Sequence, residues 1–241
     1  MIHKNLQLLS DTWLTDILQL PSFKVSAPSI DNYLDWKKQT SLSDRFFITI
    51  KTGAEELVQF ENLESQLVFI QKMNQYSWSA KPRHVAKDGY SARFSVGEDT
   101  DKILEIGSRA FELSRFHRDK RFSHKVAEGI KSRWLLSNLT MRENCDTLIL
   151  VNTKEEVVGF SSILSYPDRL VIDLISVSPK FRGQGLGKLL VHHSQELSYE
   201  KNLPLIVGTQ SENIANALYW NMGFKFVDSQ NVWHDIKQGS T

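Results

Sequence analysis

Apolar and polar positions alternate in short blocks along the second half of the chain. Leu170-Val171-Ile172-Asp173-Leu174-Ile175-Ser176-Val177 is an apolar run with one charge and predicts a buried strand over 169–177. Downstream, Leu186, Leu189, Leu190, Val191 and Leu197 recur at the spacing of one helix face. Branched residues in Leu203-Pro204-Leu205-Ile206-Val207-Gly208-Thr209-Gln210 predict a strand over 203–210. Ser211 or Asn213 is placed to cap a following helix over 212–222, which ends at Gly223. Upstream, the same reading gives strands at 92–96, 146–152 and 156–164, helices at 100–114 and 123–140, and a last strand over 224–236. Before residue 90 it gives strands such as Phe46-Phe47-Ile48-Thr49-Ile50 and a helix near 63–73, with Lys87-Asp88-Gly89 as a linker. This order predicts an α/β chain with a mixed central sheet, divided into a small α/β module over 1–90 and a larger domain over 91–241.

Between the strand at 169–177 and its helix lies Ser178-Pro179-Lys180-Phe181-Arg182-Gly183-Gln184-Gly185-Leu186-Gly187-Lys188. A glycine-rich turn that opens a helix presents bare backbone N–H groups, and such a turn binds phosphate. Three phosphate loops compete. The dinucleotide fingerprint needs a third glycine where Lys188 stands. A Walker loop needs Ser or Thr after Gly187-Lys188, where Leu189 stands, and a glycine where Arg182 stands. The third fits: Arg182-Gly183-Gln184-Gly185-Leu186-Gly187, preceded by Val177 and Pro179, resembles the pyrophosphate loop of the GNAT superfamily of acetyl-CoA-dependent N-acyltransferases. Glycines at 183, 185 and 187 would let a diphosphate approach the backbone. Leu218-Tyr219 and Gly223-Phe224 resemble the next motif of that family at its spacing, whereas Asn213 stands one residue closer to the tyrosine than usual.

The resemblance implies a mixed, splayed central sheet flanked by helices. It implies acetyl-CoA as co-substrate, held by Ile175, Ser176, Val177, Arg182, Gly183, Gln184, Gly185, Leu186, Gly187 and Lys188, with Asn213 on the pantetheine arm. It places Tyr219 at the thioester sulfur, where a phenol of pKa about 10 stays protonated at neutral pH and can protonate the leaving thiolate. It aims the amides of Ile175 and Val177 at the acetyl carbonyl. Asp173, the one charge in its strand, is a candidate general base, or else lies at a solvent edge or caps a loop. No activated Cys or Ser is legible, so transfer is expected by direct attack, without an acyl-enzyme.

Composition narrows the partners. Twenty-nine Lys and Arg against 28 Asp and Glu leave a net charge of +1, which argues against a broad basic grip on nucleic acid. One cysteine, Cys145, allows no intrachain disulfide and suits a reducing cytoplasm. Residues 1–20 are interrupted by Lys4, Asp11 and Asp16, and no run approaches the roughly 18 apolar residues of a membrane span, so no leader and no membrane partner are expected. No metal site is expected either.

For the acceptor, the chain resembles the sugar-nucleotide N-acetyltransferases of the dTDP-fucosamine type. That resemblance rests on Ala110-Phe111, Ser114-Arg115-Phe116-His117, Arg133-Trp134 and Gly208-Thr209-Gln210. It implies a nucleotide-linked amino sugar as acceptor, and such enzymes can be homodimers. Arg115, Arg118, Lys120 and Arg121 crowd four cations into seven residues. Arg115 is the candidate for a nucleotide diphosphate, Phe116 or Trp134 for stacking on a base or sugar, and His117 for positioning the amine. Other amines (an amino acid, a polyamine, an antibiotic, a protein terminus) stay open as acceptors, as does a non-catalytic acetyl-CoA-binding module.

Overall fold

A computed structural model of the chain describes residues 6–54, 66–108, 110 and 114–238. The described residues fall into two compact units, each with its own core.

The first unit draws on Met1–Met73, Arg118–Arg121 and Ser229–Thr241. It contains β1 (Leu9–Ser10), α1 (Thr12–Leu18), β2 (Ser22–Ser26), α2 (Ile30–Gln39), β3 (Phe46–Gly53) and the beginning of β4 (Leu67–Trp78). β2 runs parallel to β3, with Phe23 opposite Ile48. The last strand of the chain, β10 (Lys225–Lys237), pairs antiparallel with β3, with Trp233 opposite Ile50. Phe46, Ile48, Ile50 and Trp233 pack with Val25, Ile30 and Tyr33 in its core. A buried polar knot lies beside them: Asp119 accepts from Arg121 through both carboxylate oxygens and shares a 2.8 Å hydrogen bond with His234 Nδ1. The Asp119 carboxyl is held well below the usual carboxylate range; burial opposes this, but the hydrogen bonds from Arg121 and His234 and the charge of His234 outweigh it.

The second unit, Asn74–His117 with Phe122–Asp228, holds the glycine loop. Its elements are β5 (Tyr90–Phe94), α3 (Thr100–Ser108), α4 (Arg115–Arg118), α5 (His124–Thr140), β6 (Cys145–Asn152), β7 (Val157–Tyr166), β8 (Arg169–Val177), α6 (Leu186–Glu200), β9 (Leu205–Gln210) and α7 (Ala215–Asn221). Its strands lie in the order β9-β8-β7-β6-β5; β8 and β9 are parallel and the other neighbours antiparallel. Helices cover both faces. On β6, Ile149 and Val151 pack with Ile103, Ile106 and Leu135 of α3 and α5, while Leu150 packs with Leu186, Leu189 and Leu190 of α6. A strand buried on both faces reads as a continuous apolar run.

Two expectations change. The segment expected as a helix near 63–73 is strand β4 from Leu67 onward, and residues 63–65 lie outside the described residues. Of the helix expected over 100–114, Thr100–Ser108 is helical, residues 109 and 111–113 lie outside the described residues, and Arg115–Arg118 forms a turn of helix.

Candidate active site

The site forms where β8 loses its partners. β8 is paired with β7 on one edge, but the register slips by one residue: Ser162 faces Leu174 and Ile163 faces Ile172. Asp173 is the extra residue of a β-bulge, which breaks the alternation of side chains. Ahead of it, Leu170 and Ile172 pack in the core shared with α6 and α7. Past it, Leu174 turns to the α3–α5 side, and Ile175 and Val177 take up the α6 side. On the other edge, pairing with β9 stops at Ile172 opposite Val207, although β8 continues to Val177 and β9 to Gln210. The two strands part there. Ser178 N–H donates to Val158 O on β7 at 2.8 Å. Alternation of backbone groups then turns the N–H groups of Val177 and Ile175 toward the edge that β9 has left. Ser176, between them, faces β7 in register with Phe160.

The glycine loop sits at the end of that opening. Gly183 and Gly185 have φ of 76° and 82°, a left-handed conformation that costs any residue with a Cβ about 1–2 kcal/mol. A Cβ built on either meets no atom within 4 Å, so open space lies in front of both. The helices α1, α2 and α5 start with side-chain caps from Asp11, Ser29 and Ser123, but α6 starts at Gly185 with none. Its first N–H groups are left to an outside acceptor, and the helix dipole adds positive potential there. Leu186 is buried in the core, so what it offers outward is its backbone. Arg182 is exposed and its Nε donates to Val177 O at 3.1 Å, joining loop to strand. Gln184 Oε1 accepts from Tyr90 Oη at 3.1 Å, and Lys188 points to solvent. An open left-handed loop, an uncapped helix and a parted strand pair together fit a diphosphate carried on an extended arm.

Tyr219 lies on α7 with its ring 3% exposed, packed against Tyr76 and Phe224. Among the described residues its hydroxyl makes no hydrogen bond, and burial pushes the phenol well above its ordinary value, so it stays protonated. Leu218 of the same helix comes to the loop: a Cβ on Gly187 would stand 3.7 Å from Leu218 Cδ2. Asn213 is already engaged, accepting from Ala215 N at 2.9 Å and donating to Gln210 Oε1 at 3.1 Å. The residue that organises this turn is Asn216. Its amide nitrogen donates to the carbonyls of Gln210, Ser211 and Asn213, and its oxygen accepts from Tyr76 Oη at 2.8 Å and from Asn74 at 3.1 Å. Nothing in the local sequence distinguishes Asn216 from Asn213, because its partners on β4 lie 140 residues or more away.

Asp173 lies neither at a solvent edge nor on a loop. Its Oδ2 accepts from Trp134 Nε1 and Asn138 Nδ2 of α5, each at 2.7 Å, and among the described residues Oδ1 accepts none. Lys131, one turn earlier on α5, places its ammonium 4.2 Å from the Trp134 ring centroid. Burial and the charge of Arg115 push Lys131 down to about 8 against the pull of Asp173. Sequence reading passed over Lys131, whose setting comes from three elements. Of the expected acceptor residues, Phe116 is 0% exposed, with the Arg115 guanidinium 4.7 Å from its ring centroid and Phe122 against its edge, so it belongs to the core and offers no ring face to a ligand. His117 Nδ1 lies 2.7 Å from Ser114 Oγ, and its ring meets His124 edge-on. Burial, with Asp173 adding to it, pushes the Cys145 thiol up to about 11, unsuited to a nucleophile. No group of three metal-ligating side chains occurs among the described residues, and no described helix is long and apolar enough to cross a membrane.

Comparison with known proteins agrees with this geometry. Residues 112–224 match the model of the acetyltransferase (GNAT) family. The spore coat polysaccharide biosynthesis protein SpsD of Bacillus subtilis (strain 168) is 31% identical over 138 residues, which cover 56% of this chain and 47% of SpsD. The match thus spans about half the length of that relative. A functionally unknown conserved protein from Staphylococcus epidermidis ATCC 12228 superposes with a TM-score of 0.62 at 14% identity, over 91% of this chain and 85% of that one. A GCN5-related N-acetyltransferase from Sphaerobacter thermophilus superposes with a TM-score of 0.59 at 14% identity, over 91% and 74%. The bulged strand, the parted pair and the open loop are therefore those of a GNAT fold, and residues 112–224, just under half of the chain, are similar to the acetyltransferase (GNAT) family.

Proposed function

We propose that this chain is an acetyl-CoA-dependent N-acetyltransferase whose acceptor is the amino group of a nucleotide-linked amino sugar, acting in the cytoplasm in surface-polysaccharide synthesis. The observation that carries the transferase reading is the junction of an uncapped, left-handed glycine loop with the strand pair that parts at Ile172 and Val207. SpsD's place in polysaccharide biosynthesis supports the sugar acceptor.

Acetyl-CoA supplies the activated acetyl group. In this reading the loop amides and Arg182 hold the diphosphate. The N–H groups of Ile175 and Val177 face the thioester carbonyl and steady the charge that gathers on its oxygen as the amine attacks. Asp173 Oδ1 takes a hydrogen bond from the acceptor nitrogen while Trp134 and Asn138 fix the carboxylate through Oδ2, and the amine proton leaves to it or through it to water. The new C–N bond forms, the C–S bond breaks, and Tyr219 Oη gives its proton to the departing sulfur. Its buried phenol is a donor throughout the neutral range.

The test is thiol release from acetyl-CoA by purified protein against a panel of nucleotide-linked amino sugars, with amino acids and polyamines alongside. Turnover on one sugar nucleotide is the expected result. Turnover only on other amines would keep the transferase and discard the sugar acceptor; acetyl-CoA binding with no turnover on any amine would leave a binding module.

A further inference from the structure

Six cations lie on the glycine loop, its helix and the segment that leads out of β4, and the loop motif accounts for only part of them. Lys180, Arg182 and Lys188 belong to the loop and its helix; Lys81, Arg83 and Lys87 come from the segment that leads out of β4. All six are exposed, and among the described residues none has a carboxylate within ion-pair distance. In a chain whose net charge is only +1, this is a local concentration of positive charge. Asp88 is the one acid within residues 81–88.

The segment is held against the loop at three points. Val85 N–H donates to His192 Nε2 on α6 at 3.4 Å. The Val85 and Tyr90 side chains pack on Leu186, Leu189 and Leu190, the buried face of that helix. Tyr90 Oη donates to Gln184 Oε1 within the loop, and Lys87 Nζ stands 5.9 Å from the Tyr90 ring centroid. His192 is 2% exposed, burial pushes it below its ordinary value, and its Nε2 also stands 3.3 Å from Glu196 Oε1. The strap is thereby positioned by α6 and by Gln184 of the loop, and Lys87 stands over the ring that reaches the loop.

Coenzyme A carries phosphate at two places: the diphosphate, which the loop motif accounts for, and a 3′-phosphate on the adenosine ribose. We propose that the strap of residues 81–87, through Arg83 and Lys87, binds the 3′-phosphate of coenzyme A and makes this domain selective for coenzyme A over 3′-dephospho-coenzyme A. The inference rests on the acetyl-CoA reading above. A guanidinium and an ammonium beside a phosphate dianion form charge-assisted hydrogen bonds, and together they give a preference of about tenfold at an exposed site.

The test is calorimetric titration of the full chain with coenzyme A and with 3′-dephospho-coenzyme A, for wild type and for the double variant Arg83→Gln, Lys87→Gln. Both positions are exposed and, among the described residues, form no ion pair, so the variant is expected to melt with the wild type, and a melting scan checks this. Wild type should bind coenzyme A about tenfold more tightly than the dephospho form, and the variant should lose that preference to within about twofold by weakening only coenzyme A. Equal wild-type affinity for the two ligands overturns the inference and leaves the acetyl-CoA reading standing. So does a variant that weakens both alike, which would assign the strap to the diphosphate, or one that shifts only the acceptor's KM. A wild-type chain that binds neither ligand sinks the acetyl-CoA reading and this inference with it.

Discussion

Replacing Gly185 by Val separates the loop's task from the fold's stability. Gly185 has a φ of 82°, and a left-handed residue with a Cβ costs about 1–2 kcal/mol, toward the upper end for a β-branched side chain. No protein atom lies within 4 Å of the new Cβ, so no clash adds to that cost. For a chain of this length, about 2 kcal/mol lowers Tm by roughly 4–8 °C, and the variant stays folded at 25 °C. The added carbons stand in the space in front of the uncapped α6 amides, where a diphosphate must come within hydrogen-bond distance. Affinity for acetyl-CoA should then fall by at least about 100-fold, which is about 2.7 kcal/mol. Gly107 supplies the contrast. A Cβ there would meet Leu135 Cδ2 in the α3–α5 core, so Gly107→Ala should cost about 1–3 kcal/mol of stability and leave acetyl-CoA affinity unchanged. Calorimetry and melting scans on both variants measure the two effects. A Gly185→Val protein that binds acetyl-CoA like the wild type would refute the assignment of the loop.

Tyr219→Phe should lower kcat by about 10–10³-fold with acetyl-CoA affinity nearly unchanged, because the hydroxyl is called on only when sulfur leaves; steady-state kinetics with near-normal kcat would remove it from the mechanism. Because burial keeps the phenol protonated, the kcat profile should show no alkaline limb from this group between pH 7 and 10, and a limb that disappears in Tyr219→Phe would contradict that. Trp134→Phe deletes one of the two donors that fix Asp173, and should raise the acceptor's KM or lower kcat by about 3–30-fold while sparing acetyl-CoA binding. In the first unit, Asp119→Asn should destabilise by about 3–5 kcal/mol at pH 7 by stripping Arg121 and His234 of their carboxylate. A carboxyl whose folded value is depressed contributes stability above its unfolded value near 4 and loses it as pH falls. The gap between wild type and variant in urea unfolding should therefore narrow below about pH 4, and a constant gap would show that charge is not the cause.

Much of the second unit was legible in the sequence, because its elements carry their own local signals. Strand β6 and helix α6 show distinct periodicities, three glycines interrupt the chain where strand becomes helix, and Gly223 closes α7 with a φ of 83°. These depend on backbone sterics and on which faces are apolar, both written within a few residues. Tyr219 was singled out only through the resemblance of Leu218-Tyr219 and Gly223-Phe224 to a family motif. Strand β4 was misread because Leu63, Leu67, Ile70 and Met73 are spaced three and four apart, a helix-like pattern that non-local pairing overrides.

What only the tertiary structure decided are features that join distant segments. The extra residue at Asp173 moves Leu174 to one face and Ile175 to the other, and nothing in the apolar run reveals where its register with β7 slips. The partners that fix Asp173 lie 35 and 39 residues away on another element, those that fix Asn216 are 140 and 142 residues away, and those that pin the strap to α6 are 107. Phe116, read from its neighbours as a surface for a sugar, is core because Arg115 and Phe122 cover it. Sequence determined which residues could form the loop, since left-handed turns and helix starts are local; it could not determine which side chains are aimed and which are buried, since that depends on chain segments brought together only by the packed fold.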